Sequence, residues 1–171
     1  FFVLERGEVA RARGARSYGW LAGFGNVSEA HHLVQPRADG AGAAAAMSAA
    51  LADAGIDAAR VDYVNAHGTA TQQNDLSEAQ ALHSVFGSRA GRLPVSSTKS
   101  QVGHLLGASG AVELAAGLLG MNEGFLPPTA GWEVADPGID LDTVPDAGRA
   151  GSVGVFLSNS FAFGGNDSTL C

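Results

Sequence analysis

Two consecutive strand–loop–helix units constrain the fold of this chain more than any other feature. The first runs from the β-rich segment 61–65 through a His-Gly-Thr loop to a stretch of helical composition at 75–86. The second runs from 93–97 through a glycine-rich loop to the largely apolar stretch 109–123. Two units in which strands alternate with helices favour an α/β architecture.

Further elements are expected on either side of these units. The sequence predicts strands at 1–4, 18–24, 153–158 and 168–171, helices at 5–13 and 41–54, a loop at 25–39 and a connector at 132–149. The Ala-rich helix 41–54 ends at Gly55, and its Met47 and Leu51 are spaced to pack on one face. With 171 residues, the chain is expected to form one domain over 1–171.

The composition is that of a globular chain without membrane or secretory signals. Apolar residues make up 46% of the sequence, but they never form the uninterrupted run of roughly 18 that a membrane span needs. The N-terminal segment lacks the basic, apolar and small-residue regions of a secretory signal. We therefore expect a soluble, cytoplasmic protein with no membrane partner.

Cysteine content and net charge exclude further kinds of site and partner. The only cysteine is Cys171, so an intrachain disulfide and a thiolate metal cluster are excluded, and no metal is expected. A formal net charge of −7 argues against nucleic acid as a partner, because phosphate binding needs clustered Lys and Arg. The single lysine, Lys99, lies in the most unusual segment of the chain.

The first candidate functional segment, 65–71, reads Asn-Ala-His-Gly-Thr-Ala-Thr. Here His67 follows the end of a strand, and Gly68 lets the backbone turn closely. Functional side chains are common in such loops. The alternative is a histidine whose polar atoms are satisfied at a strand end, with Thr69 and Thr71 as caps.

The second segment, 96–110, reads Ser-Ser-Thr-Lys-Ser-Gln-Val-Gly-His-Leu-Leu-Gly-Ala-Ser-Gly. It places Lys99 and His104 among small and hydroxyl residues before an apolar helix. A cation and an imidazole beside a helix N-terminus form an electropositive pocket suited to a developing oxyanion. The alternative, a surface lysine with glycines that only allow helix packing, fits less well with three glycines and a lysine expected to be buried.

A third segment, 159–167, reads Asn-Ser-Phe-Ala-Phe-Gly-Gly-Asn-Asp and is by itself also typical of a plain hairpin. The three segments together match one family in order and spacing. The sequence resembles the C-terminal half of the synthase I/II type of β-ketoacyl-[acyl carrier protein] synthase over the whole chain. The resemblance implies one half of a thiolase-like, five-layer α-β-α-β-α fold.

The same resemblance implies a decarboxylative Claisen condensation, in which the carbanion formed from malonyl-acyl carrier protein attacks an acyl group on a cysteine. His67 and His104 match the pair that hydrogen-bonds the thioester carbonyl and assists decarboxylation. Lys99 matches the lysine that holds the electrostatics and orientation of the histidines, and Glu113 is its expected ionic partner.

Further roles are implied for the edge of the site and for its partners. Thr69 and Thr71 match hydroxyls that bind the phosphopantetheine arm, and Phe163 matches an aromatic gate. The substrate would arrive on an acyl carrier protein, without a cofactor of the protein's own, and Arg37 is the candidate for docking this acidic partner. The family's nucleophilic cysteine belongs to an N-terminal half outside this chain, so that half is an expected partner, together with a second ketosynthase unit in a homodimer or heterodimer.

Departures from the family pattern and competing functions bear on this interpretation. Cys171 aligns with an ordinary position of the terminal strand, Ala162 stands where a glycine is usual, and Asn166-Asp167 replace the common Thr-Asn.

A non-catalytic partner like a chain-length factor is the alternative function, although the retained histidines and lysine argue against it. A thiolase or a synthase III type enzyme fits less well, and fatty acid and polyketide products are both compatible with the sequence.

Overall fold

The computed structural model describes residues 1–171 and shows a mixed sheet covered by helices on both faces. The helices are α1 (Gly7–Ala12), α2 (Ala41–Ala54), α3 (Gln72–Phe86), α4 (Lys99–Val102) and α5 (Ser109–Glu123). The strands are β1 (Phe24–Ser28), β2 (Tyr63–Asn65), β3 (Pro94–Ser96), β4 (Phe125–Leu126), β5 (Asp142–Thr143), β6 (Arg149–Ala150), β7 (Phe156–Ala162) and β8 (Asn166–Leu170). Short 3₁₀ turns span Ala58–Arg60, Gly87–Arg92 and Leu106–Ala108.

The six-stranded sheet has the order β1-β8-β7-β2-β3-β5, and β4 pairs with β6 in a separate ribbon. Strands β7, β2, β3 and β5 run parallel to one another, whereas β8 is antiparallel to both of its neighbours, β7 and β1. The two strand–loop–helix units predicted from the sequence therefore supply adjacent parallel strands. As a result, the loops after β2 and β3 leave the same edge of the sheet.

Alternating side chains along β2 separate two hydrophobic clusters on opposite faces of the sheet. Val64 faces the larger cluster with α2 and α3, and Met47 of α2 is fully buried there. Tyr63 faces the smaller cluster, where Phe156 packs beside α5. The sheet thus forms the middle of three layers, with α2 and α3 on one face and α5 on the other.

The Ala-rich helix lies unusually close to the sheet because both surfaces are small. Gly25 of β1 is so near α2 that any side chain there would overlap the backbone of Ala46. Ala46 and Ala50 are completely buried. This close contact explains why a helix of such low complexity has a defined position, and its predicted end at Gly55 is confirmed by the left-handed backbone of that residue.

Two predicted strands are wrong. Residues 1–4 are exposed and have no strand beside them, so their apolar pattern has no hydrogen-bonding neighbour to form a ladder. The predicted strand 18–24 begins only at Phe24 and continues to Ser28, inside the predicted loop, because β8 pairs with that stretch. Instead of entering the sheet, the ring of Trp20 lies under the Arg11 guanidinium at 5.3 Å.

Other predicted boundaries shift by a few residues. Both strands of the last hairpin extend further towards the Gly-Gly turn than predicted, because Phe161 and Ala162 pair with Asp167 and Asn166 of β8. The predicted loop 98–108 contains the short helix α4, and the connector 132–149 contains β5. None of the five α-helices combines the length and the apolar character that a membrane crossing requires.

Candidate active site

The candidate site lies where the parallel strands β2 and β3 end side by side. Asn65, the last residue of β2, is in register with Ser96, the last residue of β3. His67 follows two residues after the first strand end, and Lys99 three residues after the second. The sheet therefore brings together two segments that are about thirty residues apart in sequence, as is common at the carboxyl edge of parallel strands.

The His67 loop is held by a buried carboxylate on α3. Glu78 is 3% exposed, and its two oxygens accept hydrogen bonds from the backbone N–H groups of His67 and Gly68, each at 2.9 Å. Asn159 of β7 donates a third hydrogen bond to the same carboxylate at 3.0 Å. Gly68 has φ 42°, and a side chain there would overlap Ser97, so the turn requires glycine.

The ring of His67 is neutral at physiological pH. Burial lowers the pKa of His67 to about 3, and the charges of Lys99 and His104 act in the same direction. Its ring centroid lies 5.2 Å from that of Phe161. A neutral imidazole in this setting donates one N–H and carries no charge of its own, which suits it to bind a developing oxyanion rather than to act as a cationic acid.

His104 lies beside His67 on the loop after α4. The two ring centroids are 5.7 Å apart and the ring planes are nearly perpendicular, at 86°. The backbone N–H of Leu106 donates to Nδ1 of His104 at 3.1 Å. Because Nδ1 accepts this hydrogen bond, the ring proton of neutral His104 is on Nε2, the atom on the side of the ring away from its own loop.

Lys99 and Glu113 form a buried ion pair next to the histidines. The Nζ of Lys99 donates to Oε1 of Glu113 at 2.5 Å, and the two side chains are only 5% and 2% exposed. The pairing predicted from the resemblance is thus present in the structure. Removing one partner of such a pair leaves an uncompensated buried charge, so the two residues depend on each other.

A cavity of about 470 Å³ opens beside these groups. Lys99, His104 and Thr69 contribute to its wall, and Trp132 and Ile139 line it from the connector. The hydroxyl groups of Thr69 and Thr71 are 3.0 Å apart at its rim, with Thr71 exposed. The wall mixes apolar side chains with a few polar groups, as is typical of a small-molecule site.

Two sequence-predicted residues, Phe163 and Arg37, lie away from the two histidines or differ in their surroundings. Phe163 is 79% exposed on the turn between β7 and β8, and Phe161 is instead the aromatic residue in contact with His67. Arg37 forms a two-pronged ion pair with Asp39, at 2.6 and 3.0 Å. Its charge is therefore partly neutralised locally.

Cys171 has the environment of a structural residue, as the sequence predicts. It is at the end of β8, where its backbone pairs with Gly23. Burial raises the pKa of the Cys171 thiol. A nucleophilic cysteine needs the opposite shift, because the thiolate is the reactive form.

Glu78 organises the His67 loop but was not predicted as a site residue from the sequence. The available signal was its position on α3, since Glu78 lies at helical spacing from Leu82, on the face that packs against the sheet. An acidic residue on the apolar face of a helix is rare unless it is paired. Ser109, within hydrogen-bond distance of His104, was also not singled out.

The arrangement defines a thiolase-like α/β domain with two imidazoles and a buried ammonium at one sheet edge. Residues 18–133 match the family described as β-ketoacyl synthase, C-terminal domain. The chain belongs to the β-ketoacyl synthase family. The fold and family predicted from the sequence are therefore confirmed.

Individual relatives cover nearly the whole chain. A 3-oxoacyl-[acyl-carrier-protein] synthase 2 of Synechocystis sp. is 46% identical over 98% of this chain, which corresponds to 40% of the relative. Nodulation protein E of a Rhizobium species is also 46% identical over 98% of this chain and 41% of its own length. The chain thus spans about two fifths of the length of these curated relatives.

Solved structures agree with this assignment. A β-ketoacyl synthase from Burkholderia phymatum superposes with a TM-score of 0.91 at 42% identity, over 97% of this chain and 40% of the other. A ketosynthase solved with its type II polyketide synthase acyl-carrier protein gives a TM-score of 0.94 at 37% identity, over 97% of this chain and 41% of the other.

Proposed function

We propose that this chain is the part of a β-ketoacyl-[acyl carrier protein] synthase that stabilises the enolate during decarboxylative condensation. The observation that carries the proposal is the pairing of a neutral, buried His67 with His104, whose proton is on Nε2, at 5.7 Å between ring centroids. Two imidazole N–H donors side by side are the groups that a thioester oxygen needs as it gains negative charge.

The chemistry follows from these two donors. In malonyl thioester the bond between the carboxylate and the α-carbon breaks, carbon dioxide leaves, and the electron pair moves onto the α-carbon and the thioester oxygen. His67 and His104 hydrogen-bond that oxygen. The α-carbon then attacks the acyl carbonyl held as a thioester on a cysteine, a carbon–carbon bond forms, and the cysteine thiolate leaves.

The buried Lys99–Glu113 pair orients the site without taking part in bond breaking. Its ammonium is within the electrostatic reach of His67, whose pKa it helps to lower. A fixed positive charge therefore keeps His67 neutral and favours anionic character in the adjacent cavity. Lys99 is thus a positioning residue for the two histidines.

Other parts of the enzyme follow from the same proposal. The nucleophilic cysteine comes from an N-terminal half, because Cys171 is in a terminal strand and its thiol is held protonated. The substrate arrives on the phosphopantetheine arm of an acyl carrier protein, with Thr69 and Thr71 as the hydroxyls that bind the arm. Phe163, on the exposed turn between β7 and β8, is the aromatic gate in this proposal. No cofactor is required, and the working unit is a dimer of ketosynthase units in the cytoplasm.

The alternative of a non-catalytic chain-length-factor subunit is not favoured. Such a subunit shapes an acyl tunnel and has no need for a complete enolate site. Here both histidines, Lys99 and its counter-charge Glu113 are present and meet at one place. The complete set is the feature that distinguishes the two functions.

The test separates the two half-reactions in the enzyme assembled from this chain and a cysteine-bearing N-terminal half. His104→Ala should lower the rate of malonyl-carrier protein decarboxylation by about 10²–10³, the usual effect of losing one oxyanion donor. Cysteine acylation, followed by mass spectrometry, should persist. His83→Ala, which removes a histidine from the end of α3, is the matched control and should retain both steps. A parallel loss of acylation and decarboxylation in His104→Ala would show a structural role instead.

A further inference from the structure

The turn that carries Phe163 is docked on the loop that follows β1. The backbone N–H of Glu29 donates to the carbonyl of Gly165 at 2.8 Å. The N–H of Gly164 donates to the carbonyl of Leu33 at 2.7 Å. Gly164 and Gly165 have φ 86° and 72°, and glycine has no Cβ to restrict the turn to one conformation. Two hydrogen bonds to one loop therefore hold a segment that has little rigidity of its own.

A pair of carboxyl groups lies at the base of this docked turn. Asp167, two residues after Gly165 on β8, is 6% exposed. A side chain at Gly42 would overlap both Oδ2 of Asp167 and Oε1 of Glu29, so the two carboxyl groups face each other across the gap that the glycine leaves. Two adjacent carboxylates repel each other unless one of them carries a proton, which then joins them as a hydrogen bond.

We propose that Asp167 and Glu29 form a proton-dependent latch, in which one shared proton holds the Phe163 turn against the loop after β1 and loss of that proton releases it. Asp167 stands where an asparagine is common, and an asparagine amide would donate to Glu29 at any pH. An aspartate can donate the same hydrogen bond only when it is protonated. The consequence of the latch for catalysis rests on the gate role proposed above for Phe163.

The surroundings of Asp167 supply no cation to compensate a second negative charge. Arg37 pairs with Asp39 through its guanidinium and reaches Glu29 through its backbone N–H, at 3.2 Å. None of the ion pairs in the structure includes Asp167. Neither β1 nor β7 carries a charged residue. The charged groups around the latch are therefore Glu29 after β1, Arg37 and Asp39 in the loop before α2, and Glu78 on α3.

The direction of the switch follows from these charges. Burial, Glu29 and then Glu78 raise the pKa of Asp167 to about 7. Below this pH Asp167 is protonated and donates to Glu29, so the latch is closed. As the pH rises through about 7 the proton leaves, the two carboxylates repel each other, and the partly buried Glu29 moves towards solvent. The backbone N–H of Glu29 then no longer holds the carbonyl of Gly165.

The test measures the mobility of the turn in the folded 171-residue chain, by carbon-13 relaxation of the Gly164 and Gly165 α-carbons. At pH 5.5 the order parameters of wild type should be about 0.85, the value of rigid backbone, and at pH 8 they should fall below about 0.6. Asp167→Asn and Glu29→Gln each replace one carboxyl group by an amide donor that does not titrate. Both variants should therefore keep order parameters of about 0.85 at both pH values.

Asp75→Asn is the matched control. Burial also raises the pKa of Asp75, but this carboxyl group faces Asp136 of the connector. The control should reproduce the pH response of wild type. Rigid glycines in wild type at pH 8 would overturn the latch, and so would a pH response in Asp167→Asn equal to that of wild type.

A second measurement separates the latch from the proposed function. In the assembled enzyme, the rate of cysteine acylation by carrier-bound substrate is compared between wild type and Asp167→Asn. The ratio of wild type to variant should be higher at pH 8 than at pH 5.5, because the released turn opens the gate. A turn that becomes mobile while this ratio stays constant would refute the gate role of Phe163 and still support the latch.

Discussion

Asp167 gives the fold a pH-dependent stability that can be worked out from its surroundings. This residue of β8 is 6% exposed. Burial raises the pKa of Asp167 to about 7, and the neighbouring carboxylates of Glu29 and then Glu78 add to the shift. Gly42 lies against both Asp167 and Glu29, so a side chain at Gly42 would overlap each of them. The two carboxyl groups therefore share a small, partly buried space.

The direction of the pH dependence follows from the raised pKa of Asp167. The folded chain binds the proton of Asp167 more tightly than the unfolded chain, whose aspartates have pKa values of about 3.9. This contribution to stability is fully present at pH values below about 4 and is lost as the pH rises through about 7. A difference of one in pKa between the folded and unfolded states corresponds to about 1.36 kcal/mol. The stability lost between pH 5 and pH 8.5 therefore has a ceiling of about 3 kcal/mol. Local relaxation and a higher effective dielectric make the actual loss smaller than this ceiling, and we expect the free energy of unfolding to fall by about 1–2 kcal/mol over this pH range.

The assay is urea unfolding of wild type and Asp167→Asn at pH 5, 6, 7 and 8.5. Asparagine keeps a polar side chain of the same shape but cannot ionise, so the free energy of unfolding should depend less on pH and be higher than wild type at pH 8.5. Glu29→Gln should also weaken the pH dependence, because it removes the nearest like charge. If Asp167→Asn and wild type show the same pH dependence within about 0.3 kcal/mol, the carboxyl pair of Asp167 and Glu29 does not govern the pH dependence of stability.

The remaining predictions concern the buried ion pair and carrier-protein docking. Glu113→Ala should lower the free energy of unfolding by about 3–5 kcal/mol, because Lys99 would keep a buried charge without a partner; a change below about 1 kcal/mol in urea unfolding would contradict the burial of the pair. Arg37→Glu should raise KM for the acyl carrier protein in a salt-sensitive way and leave transfer from a small thioester unchanged. Because Asp39 already pairs with Arg37, the expected effect is about twofold to fivefold, and equal rates at low salt would remove Arg37 from the docking surface.

The elements with strong local signals were predictable from the sequence. The helices 41–54 and 109–123 match the structure residue for residue, since composition and a terminal glycine mark their ends. The parallel strands β2 and β3 were found as short β-rich runs before glycine-containing loops. Their pairing places His67 and Lys99 at one edge of the sheet, as the alternation of strands and helices implies.

Features that depend on tertiary partners were not predictable. The apolar segment 1–4 has the composition of a strand, but a strand needs a neighbour, and none of the 171 residues supplies one. The role of Glu78 could not be predicted because it depends on hydrogen bonds from residues outside its own helix. Its carboxylate accepts from the backbone N–H groups of His67 and Gly68 and from the side chain of Asn159, which is 81 residues away in sequence. The contact between Ser109 and His104 likewise depends on a left-handed turn at Leu106, which no local propensity indicates.

Reconstitution of condensation is the most direct measurement of what this chain contributes. The 171-residue chain would be mixed with a separately expressed N-terminal ketosynthase half that carries the proposed nucleophilic cysteine, and carbon–carbon bond formation from acyl and malonyl thioesters would be followed by mass spectrometry. Neither part should turn over alone, the mixture should condense, and chains with His67→Ala or His104→Ala should not restore activity. Turnover by the isolated chain that survives Cys171→Ser would contradict the division of the nucleophile and the enolate site between two parts.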